Sequence, residues 1–138
     1  MLAWLAGLLH DVGRSCALRS LAGLMLGKGH LPDDLVARVI DRVHVEAGGE
    51  IHQHWDLPLF ATMAAVRHHE LDLPAEGFDD LHLVRLVSAL VRYQVDSTRA
   101  EQAKAEVDSS AKALHLDGYA LRTIWTDVTR ALATVTSS

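Results

Sequence analysis

Leu2, Leu5, Leu8, Leu9 and Val12 recur at three- and four-residue steps, which predicts a first helix that Gly13 breaks or caps. Ser15–Leu26 predicts a second helix, and Gly27-Lys28-Gly29-His30 a turn. Asp33 and Asp34 ahead of Leu35, Val36, Val39, Ile40 and Val43 read as the start of a third helix, and the Gly48-Gly49 pair within it predicts close packing against a neighbour. Trp55-Asp56-Leu57-Pro58 is a break, because the residue before a proline is pushed out of the helical region. Leu59–His69 resumes a mostly apolar helix that ends in Arg67-His68-His69-Glu70. After a loop holding Pro74 and Gly77, the positions Leu81, Val84, Leu86, Val87, Leu90 and Val91 leave few polar residues. That helix is expected to be the most buried and the central element. Ser97–Ser110 is polar and alanine-rich, and Asp117-Gly118 then precedes Leu121, Ile124, Trp125, Val128, Leu132 and Val135, an amphipathic closing helix. No segment alternates with a period of two between turn residues, so the expected fold class is all-α, with about seven segments.

With 138 residues, the chain suits a single helical domain over 1–138, its closing helices at about 106–136. Hydrophobic residues at 49% and charged residues at 22% exclude a disordered or fibrous chain. A net charge of -5, with three lysines, has the wrong sign for a phosphate-backbone binder, so no nucleic-acid partner is expected. Met1–Leu9 is apolar, but no basic residue precedes it, no small-residue cleavage site follows it, and it is too short for a bilayer. Neither a signal peptide nor a membrane partner is expected. Cys16 is the only cysteine, which excludes an internal disulfide or a thiolate zinc site and fits the reducing cytoplasm.

Nine histidines are many for this length, and His10 with Asp11, His44, and the pair His68-His69 lie on or at the ends of apolar helices. A mixed set of imidazoles and a carboxylate suits iron, manganese or zinc better than calcium. Adjacent histidines on a helix point about 100° apart, so the pair can flank one ion or serve two. The alternative is structural, since a buried histidine beside a carboxylate needs no metal. His52, His54, His82 and His115 have no matching partners and are read as exposed or supporting; His52 and His54 do not share a helix face.

Ala3-Trp4-Leu5-Ala6-Gly7-Leu8-Leu9-His10-Asp11-Val12-Gly13-Arg14 resembles the His-Asp signature of the HD superfamily of helical metal-dependent phosphohydrolases. His44-Val45-Glu46-Ala47-Gly48, running on through His54-Trp55-Asp56-Leu57-Pro58, and then Ala65-Val66-Arg67-His68-His69-Glu70, resemble the HDOD branch, the HD-related output domains of bacterial signalling proteins. The likeness covers about residues 2 to 95 and implies the latter part of a longer helical domain. It also implies a ligand set in which His10 and Asp11 match the pair, His44 the histidine before the small residues, and His68 and His69 the double histidine. Two ligands of catalytic relatives have no counterpart: an early histidine would lie upstream of Met1, and Ser88 stands where a final aspartate is expected. Asp96, about two turns further on, is not expected to substitute. What remains matches a second metal position of Asp11, His44, His68 and His69, enough for one ion. The Gly-Tyr-Pro element of cyclic-dinucleotide phosphodiesterases is missing, since Leu71-Asp72-Leu73-Pro74 follows His69-Glu70.

Three readings follow, in this order. The first is a regulatory module that keeps part of the metal site and binds a partner or ligand. The second is a metal-dependent phosphohydrolase in which Asp11 is catalytic and Arg14 orients a phosphate-containing ligand. The third is an inactive, incomplete domain. Apolar positions such as Leu2, Trp4 and Leu5 are expected to be exposed and to favour self-association or a protein partner.

Overall fold

The structure, a computed structural model, describes residues 3–70 and 72–136. Among them it is all-α: α1 (Ala3–Leu9), α2 (Val12–Met25), α3 (Asp33–His54), α4 (Leu59–Arg67), α5 (Asp79–Val95), α6 (Ala100–Ala113) and α7 (Gly118–Thr136), with one 3-10 turn at Ser97–Arg99. No described helix is long and apolar enough to cross a membrane. The chain divides into two compact units, Met1–His68 and His69–Ser138.

In the first unit α2 packs on α3, α3 on α4, and α4 on α1. Asp33 and Asp34 occupy the first turn of α3, where carboxylates complement the positive helix end. Pro58 directly precedes α4 and ends the break after α3, as the sequence predicts. The first break falls differently: α1 ends at Leu9, His10-Asp11 forms the turn, and Gly13 lies inside α2 instead of breaking the first helix. Its role is contact. A Cβ built on Gly13 would stand 1.9 Å from the His44 carbonyl oxygen and 2.6 Å from the Gly48 nitrogen, so α2 and α3 meet backbone to backbone. Gly49 likewise leaves no spare room, with Val66 3.0 Å from its would-be Cβ.

The interior of this unit holds small residues and imidazoles. Ala6, Ala61, Ala64 and Ala65 are buried, as are His44, His52 and His68. Trp4 is exposed and Leu5 half-buried, while Leu2 lies outside the described residues.

In the second unit α5 packs against α6 and α7. Leu86, Ala89, Leu90, Val107, Ala111 and Val128 form an apolar cluster, with Leu121, Ile124 and Leu132 of α7 against it. α5 carries the longest run of buried positions of any described helix, matching its expected central place. Asp117 accepts a hydrogen bond from the Ala120 N–H at 2.7 Å and so starts α7. The polar stretch before it is helical, and its buried face includes Glu106 and Ser110.

Candidate metal centre

Three helices of the first unit bring histidines to one carboxylate. His10 follows the last residue of α1, His44 lies within α3, and His68 caps the C-terminus of α4. Each ring is aimed by its own helix. His10 Nδ1 lies 2.7 Å from the Gly7 carbonyl oxygen, His44 Nδ1 2.9 Å from that of Asp41, and His68 Nδ1 2.8 Å from that of Ala64. A carbonyl oxygen only accepts, so each Nδ1 carries the proton and donates it. Nε2 is then the lone-pair atom, and it is the atom turned toward Asp11. The separations from an Asp11 oxygen are 3.5 Å for His10, 3.8 Å for His44 and 3.4 Å for His68. His10 and His68 meet edge to face, with ring centroids 4.9 Å apart.

The helix ends reinforce this. The last carbonyls of a helix have no ladder partner, and His10 and His68 satisfy such groups on α1 and α4. Two electron-rich helix ends therefore accompany three lone pairs and a carboxylate. That combination favours a cation.

Asp11, His44 and His68, with the adjoining His69, each offer one ligand atom, and all four atoms lie within 4.8 Å of one another. His10 belongs to the same group of rings, but this four-residue set does not include it. Three imidazoles and one carboxylate form a donor set that could hold a metal ion, and the Nδ1–H···O=C bonds of His44 and His68 are of the kind that orient metal-binding imidazoles.

Arg14 closes the site on one side. Its Nε donates to Asp11 at 3.2 Å and its Nη1 to Asp41 at 2.7 Å, so the guanidinium bridges two carboxylates. Asp41 escaped the sequence reading. It lies three residues before His44, so one residue holds Arg14 with its side chain and the His44 ring with its backbone carbonyl. His52 supports the site from within: it is fully buried and its Nε2 donates to the Leu9 carbonyl at 3.2 Å, tying α3 to the end of α1. His54 and His115 are exposed as expected, whereas His82 is buried in the second unit, with Nε2 2.9 Å from the Pro74 carbonyl.

Burial, the largest influence, pushes the His10 pKa down, outweighing Asp11 beside it. His44 is lowered as well, by burial and then by Arg14. For Asp11 burial acts upward, but the contact with His68 and the charges of His10 and Arg14 outweigh it and hold the carboxyl well below the usual range. The sign of the pH dependence follows. Between the lowered folded values and the ordinary 6.5 of a histidine, the unfolded chain binds more protons than the folded one. The metal-free chain therefore loses stability as pH falls through 6.5, and Asp11 adds a further loss below its ordinary 3.8. Urea midpoints of chelated protein between about pH 8 and 5 are expected to fall, with a slope of up to about 1.4 kcal/mol per pH unit for each proton taken up. A midpoint that stays level or rises toward pH 5 would show that these histidines are not held neutral.

Compared with family models, curated proteins and solved structures, the chain gives no match.

Proposed function

We propose that the chain is a regulatory module of the HDOD type, from bacterial signal transduction. One divalent ion would be held by Asp11, His44, His68 and His69, and the module would act by binding a partner or ligand instead of turning over a substrate. The observation that carries this reading is the convergence of four ligand atoms within 4.8 Å, three of them on imidazoles and one on a carboxylate. A bound ion would supply Lewis acidity at the Asp11 carboxylate, and its binding energy would join the start of α2 to α3 and the end of α4.

Two features argue for regulation over full catalysis. Ser88 stands at the position where the resemblance expects an aspartate. Arg14, the residue best suited to grip a phosphate, is engaged by Asp11 and Asp41. The phosphohydrolase reading keeps one observation in its favour: a groove of about 430 Å³ bordered by Arg14, Ser15, Asp33 and Asp41 opens beside the centre. In that reading Asp11 and Arg14 do the catalytic work, Arg14 exchanging a carboxylate for a phosphate oxygen. The exposed Trp4 and Leu8 on α1 support a protein partner or self-association.

Elemental analysis of the purified chain tests the proposal. About one iron, manganese or zinc per chain is expected, lost in a His68→Ala/His69→Ala variant whose helical circular dichroism persists. Wild-type protein that takes up no metal would overturn the metal-binding part of the proposal. Metal-dependent hydrolysis of a phosphodiester, abolished by Asp11→Asn, would move the conclusion to the second reading.

A further inference from the structure

Two arginines and one carboxylate are buried together in the second unit. Arg85 and Arg92 lie seven residues apart on one face of α5, and Glu106 and Ser110 lie four apart on one face of α6. Arg85, Glu106 and Ser110 are fully buried, and Arg92 alone reaches solvent, with 15% of its side chain exposed.

The one carboxylate is already engaged. Arg92 grips Glu106 with both terminal nitrogens, and Gln102 Nε2 donates to it at 3.2 Å. Among the described residues none of the three Arg85 nitrogens has a hydrogen-bond partner, nor does Arg92 Nε or the Ser110 hydroxyl. A guanidinium offers five N–H donors and stays charged. Arg85 feels the Glu106 carboxylate only electrostatically, with burial pulling its pKa down and Arg92 opposing its charge.

The cluster thus holds two positive charges against one negative, with its free hydrogen-bonding capacity almost all on the donor side. Burying an unpaired cation is strongly unfavourable unless a counter-charge accompanies it. The Arg92–Glu106 pair fixes how the helices face each other across the Ser97–Arg99 turn. It places Arg85 and Ser110 on the same side of that pair, both further from the turn. We propose that the α5–α6 seam is a binding site for a small oxyanion, a phosphate group or a carboxylate. Arg85 is its main donor, Arg92 Nε and the Ser110 hydroxyl flank it, and the ligand enters past Arg92. Glu106 positions Arg92 and rejects a second anion on its own side. This site stands apart from the candidate metal centre and does not depend on the proposed function.

The test is thermal unfolding of the full chain, stripped of metal by chelator, in inorganic phosphate or acetate against chloride at equal ionic strength. Wild type is expected to gain several degrees, saturably, in one of the two anions. The larger response identifies the ligand as phosphate-bearing or carboxylate-bearing. Arg85→Met is expected to lose the response and to melt at or above wild type in chloride, since it removes the unpaired charge. Should that variant fail to fold, anion titration of wild type by calorimetry stands in, with Ser110→Ala expected to weaken binding several-fold. The proposal falls if wild type responds to neither anion. It also falls if the response survives Arg85→Met but vanishes in Arg14→Met, which would place the anion in the first unit.

Discussion

Gly13→Ala is expected to destabilise the first unit by about 3 kcal/mol or more and to disable the candidate metal centre, although it adds a single methyl group. The new Cβ would lie 1.9 Å from the His44 carbonyl oxygen and 2.9 Å from its carbonyl carbon, so α3 has to retreat by more than an ångström. Both obstructing groups are backbone, and neither can rotate away. The displaced segment carries His44, whose ring orientation depends on the carbonyl of Asp41, so ligand geometry moves with packing. Metal affinity is expected to fall by at least the 10- to 100-fold (roughly) typical of disturbed ligand orientation.

The same helix contains its own control. A Cβ at Gly23 meets nothing within 4 Å, and alanine there should stabilise α2 by about 0.5–1 kcal/mol. Urea unfolding of the two variants is expected to give opposite signs. Equal effects would mean that α2 and α3 do not approach as closely as described.

Glu106→Gln is the second large effect, at about 3–5 kcal/mol of lost stability. The substitution keeps the shape but removes the negative charge that pairs with Arg92 and acts on Arg85. An amide presents one acceptor oxygen where the carboxylate met Arg92 with two, and its NH2 group would face guanidinium donors. Adding Arg85→Met to Glu106→Gln is expected to recover part of the loss, because one uncompensated cation is then gone. Denaturant unfolding followed by circular dichroism reads both. A double variant no more stable than Glu106→Gln alone would contradict the electrostatic account.

Much of the fold was legible from spacing alone. The Asp33 start, the Pro58 break and the apolar run of α5 all appear where hydrophobic periodicity and turn residues put them. The first break was misplaced because Leu8-Leu9 and Val12 stay in helical register across His10-Asp11, and nothing local marks a turn there. Gly13 reads as a stop when considered alone, whereas its purpose is the approach of a helix 31 residues away. Long-range contact leaves no trace in a local pattern.

Within the site, residue type pointed to Asp11, His44 and His68, since metal-binding chemistry limits which side chains qualify. His52 and His82 were harder to place because their acceptors are the carbonyls of Leu9 and Pro74, and every residue carries a carbonyl. Asp41 belongs to no local motif, because its partner Arg14 lies 27 residues away in the chain. A signal for the second cluster did exist: Arg85 interrupts Val84 and Leu86 in the most apolar helix, where a charge demands an explanation.

The alanine-and-imidazole interior of the first unit has a thermodynamic consequence. Heat capacity on unfolding scales with apolar area newly wetted, and alanines and histidines hide less of it than the leucines and valines of the second unit. The stability of residues 1–68 therefore varies only gently with temperature. It varies more with pH, because burial holds the His10 and His44 imidazoles below their ordinary pKa.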